Sequence, residues 1–124
     1  MKYSITWNDN NSLVVYSGDI SKRDLEHANA DVHGDNRTYK LLASIWDFTK
    51  CNMQDIKPED LHYTIVVDLG SSKTIKNHKI ALVVVEPHSI RLCETYINKS
   101  IDIGSPWDFM IFNSLDGIDE WINA

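Results

Sequence analysis

"HKIALVVVEP", residues 78–87, is the stretch on which the fold turns. Ile80 to Val85 are all apolar, so both alternating faces of a strand there are hydrophobic. A strand with one wet face alternates apolar and polar. A strand apolar on both faces lies inside a sheet that is covered on both sides, the usual setting of parallel strands. Pro87 suits the first turn of a helix. Behind it, "HSIRLCETYINK" places Ile90, Cys93 and Ile97 on one helical face. The segment therefore predicts a central strand that runs into a helix, with Ser89 as a candidate cap.

The flanking segments extend the same alternation. "YKLLASIWDF", residues 39–48, reads as the preceding strand. "KPEDLHYTIVVDLG", residues 57–70, carries two signals. Pro58, Glu59 and Asp60 suit a helix start, and Gly70 a stop. "YTIVV" alone would suit a strand. The start and stop signals favour a helix, with Leu61, Ile65, Val66 and Leu69 on its apolar face. On the other side, "WDFMIF" predicts a last strand, and "SLDGIDEWINA" a short helix packing Leu115, Ile118, Trp121 and Ile122. At the amino end, "YSITW" and "SLVVYSG" flank the turn-forming "NDNN" and predict a hairpin of residues 2–8 and 12–18. In "DISKRDLEHANADVHGD", Ser21 is a candidate N-cap, Leu25, Ala28 and Val32 share a helical face, and Gly34 ends the helix. The order is ββαβαβαβα, an α/β fold with a mixed, mostly parallel sheet of about five strands flanked by helices.

Composition narrows the function. A chain of 124 residues fits one domain, residues 1–124, and 43% hydrophobic residues is enough for a core. The net charge is 12 − 18 = −6. That balance disfavours nucleic acid, whose phosphates reward clustered Lys and Arg. It also gives little attraction to anionic lipid headgroups. Lys73, Lys76, His78 and Lys79 form the one suggestive basic run. "MKYSITWNDN" lacks the apolar core of a signal peptide, and no apolar run approaches the roughly 20 residues of a membrane span. Cys51 and Cys93 have neither metal nor redox spacing. Free thiols and a cytoplasmic location are expected.

The chain resembles the SpoIIAA-like proteins, relatives of STAS domains. The resemblance is carried by "SGDISKRDLEHA", "YKLLASIWDF", "KPEDL", "KIALVVVEP", "RLCETY" and "SPWDFMIFNSLDGIDEWI", in that order along nearly the whole chain. It implies a mixed sheet with its first strand antiparallel at an edge. It also implies a non-catalytic module that binds a partner protein, in some relatives under control of serine phosphorylation. A similarity of this branch to CRAL-TRIO lipid carriers adds an apolar or lipid-like ligand and a weak peripheral membrane contact as alternatives. In anti-sigma-factor antagonists the switch serine follows the third strand in an Asp-Ser-Ser/Thr-Gly context. Here "WDFTKCNMQDIKPED" keeps Asp47 but has no adjacent serine and no following glycine. Thr49 is the remaining hydroxyl, and Glu59 and Asp60 would repel a phosphate nearby.

Other chemistry is weakly represented. "DLGSSKT", residues 68–74, lacks the glycines of a phosphate-binding loop. His27, His33, His62, His78 and His88 show no helical i, i+4 pair, so neither a metal nor another cofactor is expected. "VEPHS", residues 85–89, is the best polar cluster. Glu86 and His88, with Asp47, define the alternative of a small enzyme with an acid/base site. The expectation kept is a binding surface at the strand ends made by Trp46, Asp47, Phe48, Glu86, His88 and Trp107, since aromatic side chains anchor interfaces as well as cores. The early hairpin leaves an edge strand that could serve a homodimer.

Overall fold

The computed structural model describes residues 2–124. In chain order the elements are β1 (Tyr3–Trp7), β2 (Asn11–Tyr16), β3 (Gly18–Asp19), α1 (Lys22–His33), β4 (Ala43–Asp47), β5 (Cys51–Asn52), α2 (His62–Ser71), β6 (Lys79–Val83), α3 (Pro87–Asp102), β7 (Asp108–Phe112) and α4 (Ile118–Ile122). Short 3₁₀ turns, Asn36–Lys40 and Pro58–Leu61, precede β4 and α2. The main sheet has the order β1-β2-β4-β6-β7. β1 is antiparallel to β2, and every other pairing is parallel. The two-residue strands β3 and β5 pair with each other outside it.

The double-sided apolar run at residues 80–85 explains this layering. Ile80 and Leu82 face α1, α2 and α3 together with Val14, Tyr16 and Trp46. Ala81 and Val83 face the opposite way, with Ala43 and Ile45, under Ile118 and Ile122 of α4. Strand alternation sends successive residues to opposite layers, so one apolar segment serves two cores.

Local sequence sets the helix ends. Ser21 and Asp24 form a reciprocal capping box at the start of α1. Gly34 closes that helix where a Cβ would sit 2.9 Å from the Ala30 carbonyl oxygen. Lys57 N–H donates to Asp60 at 2.9 Å before α2. The segment 62–71 is helical despite its β-branched residues, because burial of Leu61 and Ile65 against the sheet outweighs local propensity.

Four details differ from the sequence expectation. The second hairpin strand ends at Tyr16, and Gly18–Asp19 leaves to pair with β5. The strand expected over 39–48 starts at Ala43, because Asp35 caps a 3₁₀ turn ahead of it by accepting from Arg37 N–H at 2.9 Å. On α2, Val66 is exposed and Asp68 is buried, so the inner stripe is Leu61, Ile65 and Asp68. Leu115 is exposed and precedes α4 instead of packing within it.

α4 is held by a cation. Lys79 Nζ donates to the Trp121 carbonyl at 2.6 Å and to the Ile122 carbonyl at 3.3 Å, and lies 5.2 Å from the Trp121 ring centroid. A helix C-terminus presents unpaired carbonyls and favours a positive charge. The basic run around residues 73–79 therefore divides: His78 is buried and Lys79 is spent on α4, while Lys73 and Lys76 are exposed. Lys79→Met keeps the stem and removes the cation. It is expected to cost about 1–2 kcal/mol and to speed amide exchange over residues 118–124 selectively. Unchanged exchange there would show that apolar packing alone holds α4.

Candidate functional site

The carboxyl ends of β4 and β6 are where ligand sites gather in open α/β sheets. Three of the predicted residues lie there, and each is engaged locally. Asp47 is buried, and its Oδ1 accepts from Thr49 N–H at 2.9 Å and from the Thr49 hydroxyl at 2.7 Å. This Asx turn ends β4. Glu86 caps α3 by accepting from His88 N–H at 3.1 Å and Ser89 N–H at 3.0 Å. Those backbone donors, His88 N–H first, hold its carboxyl below the usual range. His88 Nε2 lies 3.0 Å from the Ile56 carbonyl, which can only accept, so Nε2 carries the proton. Among these bonds none links Asp47, Glu86 and His88 to one another.

The thiols offer no nucleophile. Burial pushes Cys51 up to about 11, with Asp47 nearby adding to the effect, and pushes Cys93 up to about 12. Both are thiols at neutral pH. Both cysteines are free. Among the described residues no cluster of three or more His, Cys, Asp or Glu is placed to hold a metal ion.

Trp46 and Phe48 belong to a different feature. A partly open cavity of about 50 Å³ lies between the sheet and helices α1, α2 and α3. Tyr16 forms one wall, stacked on Phe48 with centroids 5.0 Å apart and near Trp46 at 6.4 Å. Leu82, Leu92 and Cys93 continue it. Asn29, Thr64, Asp68 and Tyr96 supply its polar atoms.

Trp107 takes no part in that cavity, and it does not share one strand-end surface with Trp46 and Phe48 as the sequence led us to expect. It precedes β7, so parallel topology puts it at the amino end of the strands, opposite Asp47. There its Nε1–H donates to the Ile75 carbonyl at 2.6 Å. Its ring stacks on His33 at 6.3 Å and meets His78 at 5.0 Å.

The group that sequence reading missed is Asp68. Its carboxylate is 6% exposed. It accepts from Asn29 Nδ2 at 2.9 Å, His33 Nε2 at 2.7 Å and the Tyr96 hydroxyl. Burial and the facing Asp68 raise the Tyr96 phenol well above its ordinary value, so it stays protonated and remains a donor. The available signal was spacing, since Asp68 follows Ile65 by three residues on the inner stripe of a helix.

His78 completes the amino-end cluster, with Nε2 2.9 Å from the Ser44 hydroxyl. Burial, and secondarily His33, lower it to about 4, partly offset by the Leu41 carbonyl and Asp68. The folded state thus stays unprotonated at His78 while an unfolded histidine takes a proton near pH 6.5. Stability is full above about pH 6.5 and declines as pH falls toward 4, by up to roughly 3 kcal/mol. Urea titrations across that window should show the decline, and His78→Gln should flatten it. An unchanged slope in the variant would assign the acid sensitivity elsewhere.

A five-stranded sheet of this order, antiparallel at one edge and covered by helices on both faces, is the SpoIIAA/STAS fold. Solved structures bear this out. The unphosphorylated anti-sigma factor antagonist SpoIIAA superposes with a TM-score of 0.60 at 12% identity, covering 98% of this chain and 97% of that one. An anti-sigma factor antagonist from Mycobacterium paratuberculosis gives 0.64 at 19% identity, covering 98% and 93%. An uncharacterised protein from Shewanella loihica with a SpoIIAA-like fold gives 0.54 at 11% identity, covering 97% and 91%. No protein-family model matches the sequence, and a search of curated proteins gives no match.

Proposed function

We propose that this chain is a non-catalytic, cytoplasmic regulatory module that binds a partner protein through the rim at the carboxyl ends of β4 and β6. The observation that carries the reading is the engagement of Asp47, Glu86 and His88. Each holds a turn, a helix cap or a loop carbonyl, and none of these bonds assembles an acid/base or nucleophilic set. The anti-sigma factor antagonists that share the fold support a protein partner of the anti-sigma factor class. The rim exposes an apolar point, Val85, at 54% of its surface, on the loop leaving β6. Glu86, the next residue, is exposed beside it, which fits a partner with a basic group at that point.

Binding in this reading is not switched at Thr49. The Thr49 hydroxyl donates to Asp47, so a phosphoryl group there would break the turn and face a carboxylate. This reading does not include a lipid chain as ligand. The enclosed space of about 50 Å³ takes a few heavy atoms and is too small for a lipid chain. Among the described residues no helix is long and apolar enough to cross a membrane.

The test is calorimetric titration against the anti-sigma factor kinases encoded in the same genome, with ATP present. Binding is expected to one of them, with no phosphate added to this chain by intact mass. Val85→Asp should weaken it about tenfold, the size of one buried anchor. Failure to bind any of them would contradict the reading. Phosphate transfer to Thr49 would contradict the unswitched mode.

A further inference from the structure

The cavity between the sheet and helices α1, α2 and α3 carries two polar atoms that the fold leaves unpaired. Asn29 is 1% exposed, and its amide nitrogen donates to Asp68 Oδ1 at 2.9 Å. A carboxylate bonded in this way accepts, which fixes the amide orientation. Asn29 Oδ1 is therefore turned away from Asp68, and it has no partner. Thr64 Oγ1, on the neighbouring helix α2, is likewise buried and has none. Both residues line the cavity. Every other donor around Asp68 is used: His33 and Tyr96 both bond its carboxylate.

Buried polar atoms without partners cost about 1–3 kcal/mol each, and native folds rarely keep two in one wall. The remaining wall is apolar: Tyr16, Leu25, Phe48, Leu82 and Leu92. A water there would use Asn29 Oδ1 and Thr64 Oγ1 and leave the hydrocarbon part of the wall without a partner, whereas a molecule with a polar head and an apolar body meets both. The fitting occupant has one hydroxyl or amide head and a short hydrocarbon body.

We propose that this cavity is a binding site for a small, neutral, amphipathic molecule of the short-chain alcohol or primary amide class. Its head donates to Asn29 Oδ1 and pairs with Thr64 Oγ1, and its hydrocarbon lies against Tyr16, Phe48 and Leu82. A carboxylate head is disfavoured, because it would meet Asp68 in a desolvated wall. The space, about 50 Å³ with a mouth open on one side, limits the enclosed body to a few heavy atoms. This site is independent of the rim proposed for the partner protein, and either reading can fail without the other.

The test uses 1-butanol and xenon as probes, followed by amide and methyl shifts in NMR titrations of the full chain. Butanol is expected to shift signals around Asn29, Thr64 and Leu82 saturably. Thr64→Val keeps the shape and removes the hydroxyl. It should weaken butanol about five- to tenfold and leave xenon binding within twofold. Asn29→Leu removes the acceptor as well, and its folding is checked by dispersion of the same spectra. Absence of saturable shifts with butanol would overturn the proposal. Butanol binding that is unchanged in Thr64→Val would also overturn it, leaving an unspecific apolar void. A crystal grown with butanol that shows only water at Asn29 Oδ1 would do the same.

Discussion

The fold depends on one buried carboxylate. Asp68 sits on α2 and receives two donors from α1, Asn29 and His33, and one from α3, Tyr96. His33 Nδ1 also lies 3.0 Å from the Ser71 hydroxyl at the end of α2. Three helices that cover one face of the sheet thus share one polar centre. Desolvating a carboxylate is costly, and the cost is offset only while its donors stay in place. Hydrophobic contact is non-directional and would let the helices slide over the sheet. The hydrogen bonds to Asp68 specify one arrangement.

The polar centre also shapes the chemistry around it. By taking the Asn29 amide nitrogen, Asp68 leaves Oδ1 of that side chain unpaired at the cavity wall. Toward the amino end, His33 joins the centre to Trp107, whose ring packs on His78. The acid sensitivity of His78 and the cavity are thus two ends of one continuous layer. The carboxyl rim is different. Its polar groups end strands and begin helices, and Val85 is exposed there.

Much of the architecture was legible in the sequence. The apolar run at 80–85 implied two covered faces, and both are covered. Ser21 announced a cap, and with Asp24 it forms one. The helix at 62–71 was legible from Pro58 and the acids after it, although its residues favour strands. The site was legible only in part. Trp46 and Phe48 both pack on Tyr16 and line one cavity, but Trp107 lies at the other end, because strand direction separates residues that composition groups together. Asp68 was not singled out in the sequence. What makes it central is three donors arriving from positions 29, 33 and 96, and no local pattern encodes that convergence. Val66 misled for the converse reason: apolar character alone does not decide which side of a helix meets the sheet.

A double-mutant cycle between α2 and α3 tests the central role of Asp68 most directly. Urea unfolding is compared for the unaltered chain, Asp68→Asn, Tyr96→Phe and the double variant. If the carboxylate ties the helices, each single change destabilises, and the pair shows a coupling of about 1–3 kcal/mol. Additivity within about 0.5 kcal/mol would contradict it, and would mean that apolar packing alone sets the helices on the sheet.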